Sequence, residues 1–458
     1  MIPAITLELS VVCLGIFLLM ADSFYVKIDK RLLAYGGIIG LVVVFGMTFF
    51  ILQPPMEYLG FYTDDALGLF FKRFALVATI LTLILGIEYA PVVERFIPGS
   101  RPGAGLGEFF VLPIFTCAGL MWMASAADFV MIFCALELVT ISFYIQVAYM
   151  RKSAASLEAG TKYLILGALS TGFLVYGITW IFGITHQTGL SGISMILGNI
   201  PQASQTAILF GLGLVLVALG FKVAAAPFQF WVPDVYQGAP TPVTAFLSVG
   251  SKAAGFVVLM RVVEPFLSAP AIEEKLVTVF QVLAGLTLLF GNLAAMPQTN
   301  LKRLLGYSSI AHAGYLLVGI ASVGAAGAGR AIVFYLFGYL LMTFLAFLVL
   351  IPVAKATGGD DIAHFNGLGR RAPGLALAML ISMLSLAGLP FTIGFLGKFF
   401  IFEAAMREQH FVLVALGVVT VACGFYYYLK VVRAMYWQPA PEDAEAIIVS
   451  PLTRFTAT

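Results

Sequence analysis

Seven ionisable residues stand inside runs otherwise fit for lipid: Glu137 in FCALELV, Lys162 in GTKYLIL, Lys222 in LGFKVAA, Lys252 in VGSKAAG, His312 in SSIAHAGY, Lys398 in GFLGKFF, and Glu8 near the start. A charge at the centre of a membrane helix costs about 2.5–3.5 kcal/mol even on the mildest insertion scale. Several together cost on the order of 10 kcal/mol, comparable to the stability of a whole domain. Such residues persist by pairing, by facing water or by function. The chemistry they suit is proton transfer, because desolvation favours the neutral amine and the neutral carboxylic acid, so that both exchange protons near neutral pH. Two charges about 5–8 Å apart at an effective dielectric near 20 interact by roughly 2–3 kcal/mol, enough to switch occupancy along a row. The bland readings are a satisfied ion pair that only fixes packing, snorkelling of Lys162 to the interface, and a packed core histidine at 312. Glu8 reads as lying near the surface, and Lys72 and Arg73 in the third span as snorkelling or touching a neighbouring subunit.

The elements that position these residues are membrane spans. The chain has 458 residues, of which 61% are hydrophobic and 10% charged, with a mean hydropathy of +1.01. An ordinary soluble chain is about 25% charged. The composition therefore reads as an all-α polytopic membrane protein with 13–14 transmembrane helices. Candidate spans are 4–21, 32–52, 65–88, 108–126, 129–149, 159–184, 206–231, 239–262, 274–296, 303–323, 330–351, 374–402 and 411–434, with long polar connections at 89–107, 185–205 and 352–373. No soluble domain fits among them, and the first run reads as a retained span because it lacks the features of a cleaved signal. The positive-inside rule compares 14 Lys and Arg in loops after odd-numbered spans, Lys27 and Arg101 among them, with 4 after even-numbered ones, and puts the N-terminus outside.

Two spans carry a proline deep in the run, Pro227 in the seventh and Pro390 in the twelfth. A proline breaks the helix, which lipid tolerates only where the break is buried or lines a hydrated cavity. The two lie five spans apart, so spans 4–8 and 9–13 read as two inverted five-helix repeats, each with a discontinuous helix. The domains expected on this reading are 1–107, the first three spans; 108–262 and 263–436, the repeats; and 437–458, a polar tail. In that register Glu137 and His312 lie on the second span of each repeat, and Lys222 and Lys398 on the broken helices.

Other classes are set aside. The net charge of +2 comes without a basic tract, which argues against nucleic acid. Cys13, Cys117, Cys134 and Cys423 lie far apart in apolar runs and read as small core residues. His186, His364 and His410 read as loop or span-end residues, and no two histidines share a spacing that would hold a metal or haem on one helix. The chain is expected to carry no cofactor or metal.

The stretches FKVAAAPFQFWVPDVYQGAPTPVTAFLSVGSKAAGF (221–256), NLKRLLGYSSIAHAGYLLVGI (300–320) and SLAGLPFTIGFLGKFFIF (385–402) resemble the antiporter-like membrane subunits of respiratory complex I, the proton-pumping NADH:quinone oxidoreductase. The resemblance runs from about residue 60 to 435. It implies a coupled Glu137–Lys222 charge that drives proton uptake, Lys162 at the bridging position on span six, Lys252 as the lysine of span eight, His312 as the central connection and Lys398 on the exit side. Lysine at 398 separates the chain from a sister subunit with glutamate there, and its length leaves no room for the largest sister's lateral helix. The family has fourteen spans, whereas this sequence ends in a polar tail where the last is expected; either the chain is truncated or this member lost that helix.

The resemblance further implies a subunit of a translocase with no redox centre of its own, in the bacterial inner membrane. Its partners would be the neighbouring antiporter-like subunit, small membrane subunits and the lipid bilayer. Flavin, iron–sulfur clusters and quinone are expected in partner subunits. The rival classes are a subunit of a multi-subunit cation/proton antiporter and a structural subunit whose charges only pack.

Overall fold

The computed structural model describes residues 3–25, 29–51, 57–58, 60–98, 103–198, 201–440 and 447. Lys27, Arg101 and most of the polar tail at 437–458 lie outside the described residues. Helices α1 (Ile5–Phe24), α2 (Arg31–Met47), α3 (Ala66–Phe96), α4 (Leu106–Ser125), α5 (Phe129–Val147) and α6 (Ala154–Thr185) open the chain, with a hairpin of β1 (Glu57–Tyr58) and β2 (Tyr62–Thr63) before α3. Then come α7 (Leu190–Leu197), α8 (Gln202–Val223), α9 (Trp231–Gly238), α10 (Thr241–Phe246), a π-turn at Leu247–Ser251, and α11 (Lys252–Val263). The remaining helices are α12 (Pro270–Ala295), α13 (Leu301–Ala321), α14 (Ala328–Thr357), α15 (Leu368–Arg371), α16 (Pro373–Ala387), α17 (Ile393–Arg407) and α18 (Phe411–Trp437).

Among the described residues, 11 helices are long and apolar enough to cross a membrane, Thr241–Ser268 counting as one through its π-turn. The chain is a multi-pass, nearly all-helical membrane protein, and every expected span is occupied by a helix or a helix pair. The differences are local. The third span runs on to Phe96 through Pro91, the connection at 185–205 holds the short α7, and the span expected at 206–231 stops at Val223.

Both breaks have an identifiable cause. After Val223 the backbone turns left-handed at Ala224 (φ +64°), and the Ala226 N–H leaves the helix ladder to donate to Thr287 Oγ1 at 2.9 Å. Pro227 then has no N–H with which to resume the helix. At the second break, Gly388 (φ +89°) closes α16, a conformation for which glycine is suited, and Thr392 caps α17 by accepting from the Phe395 N–H.

The chain forms two compact units, residues 1–223 with 238–275 and residues 224–237 with 276–458. Within the first, α6 and α8 cross at glycines: a Cβ at Gly177 would fall 2.6 Å from the Gly211 carbonyl oxygen, and one at Gly211 would fall 2.9 Å from that of Gly177. Small residues allow this approach where lipid offers no hydrophobic drive. Within the second, Arg303 of α13 holds α9 by donating to Asp234 Oδ1 at 2.7 Å and Gln237 Oε1 at 3.1 Å, and Tyr236 bonds Ser309 at 3.1 Å.

Gly177→Leu should separate α6 from α8 and lower stability by about 1–3 kcal/mol or more. Gly172→Ala, in the same helix with nothing within 4 Å of the added Cβ, should be neutral or stabilising. Thermal melting of the detergent-solubilised protein checks both.

Candidate functional site

In the first unit the acid and the broken-helix lysine converge on one face of α5. Asp128 caps that helix by accepting from the Val130 N–H at 2.7 Å. Glu137 Oε1 accepts from Thr171 Oγ1 of α6 at 2.7 Å. Three residues along the same face, Thr140 Oγ1 accepts from Lys222 Nζ at 3.0 Å, with the lysine buried in the last turn of α8. Glu137 also lines a cavity of about 610 Å³ between α5 and α6, together with Tyr144, Gly160 and Thr171.

Lys252, also buried, begins α11 where the π-turn ends. A π-turn adds a residue to one helical turn and re-aims the side chains beyond it, a feature frequent at functional sites. One turn further, a Cβ at Gly255 would lie 3.2 Å from Lys222 Cγ, so α11 packs directly on the Lys222 stem. Tyr163 of α6 fills the interior beside these residues, edge-on to Tyr144 at 5.0 Å and stacked on Phe221 at 6.3 Å.

In the second unit His312 of α13 is buried between two tyrosine hydroxyls, with Nδ1 2.7 Å from Tyr335 Oη and Nε2 3.1 Å from Tyr428 Oη. Tyr428 also bonds Ser308. A hydroxyl donates or accepts, so this pair can serve either neutral tautomer and the imidazolium alike. Lys398, buried on α17, donates from Nζ to the carbonyls of Leu386 at 3.0 Å and Ala387 at 2.8 Å, and lies 4.9 Å from the Tyr315 ring centre. It thus caps the negative end of α16. A neutral amine keeps two N–H donors, so loss of its proton leaves both carbonyls satisfied.

Several expectations need correction. Lys162 is not in the buried set: its side chain is 42% exposed and pairs with Glu158 at 2.7 Å, because the inward position on this turn of α6 belongs to Tyr163. Glu8 is not near the surface, nor does Lys72 snorkel. Both are fully buried and paired at 3.1 Å, under the β-hairpin that precedes α3. Arg73 bonds Thr48 at the end of α2. Of the cysteines, Cys117 is buried, whereas Cys13 and Cys134 are exposed. Sequence reasoning missed the neutral partners Thr140, Thr171, Tyr335 and Tyr428; the one available signal was Tyr335 and Tyr339, four apart on one face of α14, with His312 against both rings. Among the described residues no group of three or more His, Cys, Asp or Glu could hold a metal ion.

Residues 126–424 match the family described as NADH:quinone oxidoreductase/Mrp antiporter, transmembrane. NADH-quinone oxidoreductase subunit N of Trichlorobacter lovleyi is 40% identical over 94% of this chain and 86% of its own length. The chain belongs to the NADH-quinone oxidoreductase subunit N family. The subunit N of Moorella thermoacetica is 39% identical over 98% of this chain and 91% of its own. Among solved structures, a chain of respiratory complex I from Thermus thermophilus superposes with a TM-score of 0.80 at 31% identity, covering 98% of this chain and 94% of that one. A chain of the Mrp complex from Dietzia shares the fold, with a TM-score of 0.78 at 20% identity, covering 96% of this chain and 82% of that one. The resemblance drawn from residues 221–256, 300–320 and 385–402 is thereby confirmed.

In this subunit N family member, Lys398→Met should leave the Leu386 and Ala387 carbonyls without their shown donor and lower stability by about 1–3 kcal/mol. Lys398→Arg, which keeps N–H donors, should melt closer to the wild type in a detergent thermal scan.

Proposed function

We propose that this chain is a proton-translocating membrane subunit of an NADH:quinone oxidoreductase, driven by quinone reduction in partner subunits. Flavin, iron–sulfur clusters and quinone belong to those partners, and this chain supplies the ionisable groups that move protons. The observation that carries the reading is Lys222, buried beside the break of a membrane helix and held by the Thr140 hydroxyl one turn from Glu137. A hydroxyl partner leaves no uncompensated anion behind when the lysine gives up its proton.

In this reading Glu137 and Lys222 take up a proton as a charged pair, Lys162 and Lys252 carry the charge on, His312 passes it between tyrosine hydroxyls, and Lys398 releases it. Lys162, on the outer side of α6, acts through Glu158. Residues 108–262 and 263–436 are two inverted repeats of five spans, each with one discontinuous helix at Pro227 or Pro390. The chain sits in a bacterial inner membrane with its N-terminus outside and neighbours an antiporter-like subunit and small membrane subunits. A second reading, a subunit of a multi-subunit cation/proton antiporter, is favoured by the family's shared description with Mrp antiporters. Identity near 40% to subunit N relatives, against 20% to the Mrp chain, supports the first.

In native membranes, Lys222→Ala should lower donor-to-quinone turnover and proton pumping together, by roughly tenfold or more, about 1.4 kcal/mol of barrier. Donor oxidation by an artificial acceptor that bypasses the membrane arm should hold at the wild-type rate. Unchanged pumping would contradict the proposal.

A further inference from the structure

A second set of buried ionisable groups lies outside the proposed row. Glu8, in the first turn of α1, and Lys72, in the second turn of α3, are both fully buried, with Nζ 3.1 Å from Oε1. The Tyr62 hydroxyl of β2 joins them. It accepts from Lys72 Nζ at 2.5 Å and donates to Glu8 Oε1 at 3.2 Å, with Oε2 at 3.4 Å. Tyr62 is itself fully buried, and its strand is pinned to the connection between α4 and α5 by the Ala127 N–H donating to the Phe61 carbonyl at 3.0 Å. If fastening α1 to α3 were the task, apolar side chains of similar size would serve as well, because desolvating two charges offsets most of their attraction.

Space that water can enter lies next to the strand. A cavity of about 320 Å³, lined by Thr63, Ala126, Arg261 and Glu264, opens beside the Tyr62 strand. Asp65, three residues beyond Tyr62, caps α3 and takes two bonds from Arg261, at 2.7 and 3.1 Å. Arg261 is on α11, the helix that begins with Lys252.

We infer that Glu8, Tyr62 and Lys72 form a proton-exchange site of the N-terminal helices, loaded and emptied during turnover in addition to the row of Glu137, Lys222 and Lys252. The inference rests on the reading of this chain as a proton-translocating subunit. In the loading step, a proton delivered to the site protonates the Tyr62 oxygen as the Tyr62 hydroxyl proton passes to Glu8 Oε1, so that the carboxylate becomes a carboxylic acid and Tyr62 ends unchanged. Lys72 remains an ammonium, and the site gains one positive charge. The reverse transfer returns the proton to water and restores the ion pair. The Tyr62 oxygen and the Glu8 carboxyl keep a hydrogen-bond partner in both states.

The test uses intact membranes carrying the double variant Glu8→Gln/Lys72→Met, which removes both charges at similar size, and Tyr62→Phe, which removes only the bridging oxygen. Subunit level, bypass donor oxidation and protons pumped per electron are measured for each beside Lys222→Ala. The expected result is normal subunit level and bypass rate with a severalfold fall in protons per electron. A wild-type ratio in the assembled double variant overturns the inference and leaves a packing latch. If the double variant does not assemble, Tyr62→Phe decides: a lowered ratio supports the site and an unchanged one overturns it. A wild-type rate of donor-driven proton pumping by Lys222→Ala would instead bring down the proposed function itself, whatever the Glu8 variants do.

Discussion

A peptide group in hydrocarbon must find its hydrogen-bond partner within the protein, and a helix broken in mid-membrane leaves several groups in need. At the end of α16 every one of the last four carbonyls is met: Leu384 and Ser385 by the N–H groups of Gly388 and Leu389, Leu386 and Ala387 by Lys398. The break thus creates a place where a buried lysine is required, and the lysine makes the break tolerable. The first break satisfies the same rule differently. There the freed Ala226 N–H turns to Thr287, and Lys222 sits on the final turn before the gap.

What the ionisable groups touch matters as much as where they lie. Lys222 meets a threonine, Lys398 meets carbonyls and His312 meets two tyrosines, all neutral partners that remain satisfied whether or not the proton is present. A carboxylate in direct contact with a lysine would hold the lysine's proton more firmly and become an uncompensated anion once it left. Glu8 and Lys72 are the contrasting arrangement, a direct ion pair with a tyrosine bridging it.

The membrane class, the span positions and both breaks were legible in the sequence, because hydropathy and proline act locally and lipid enforces the result. Lys222, Lys252, His312 and Lys398 were equally legible as buried groups, since a charge in an apolar run declares itself. The neutral partners were not, as Thr140, Tyr335 and Tyr428 are unremarkable by type and gain meaning only when another helix brings a charge beside them. Lys162 was misjudged by one residue of helical phase, about 100° of rotation, which Tyr163 occupies instead. Glu8 was misjudged because a residue near a span end looks exposed until a hairpin folds over it, and nothing local in residues 57–63 announces that cover.

Proton movement through this chain is driven by electron transfer elsewhere in the assembly. The most direct test measures proton translocation in native membrane vesicles with and without electron donor and quinone, under imposed sodium gradients. Translocation should require donor and quinone, stop when quinone reduction is inhibited and ignore sodium. Sodium-driven proton exchange in the absence of any donor, lost when Lys222 is replaced, would contradict it.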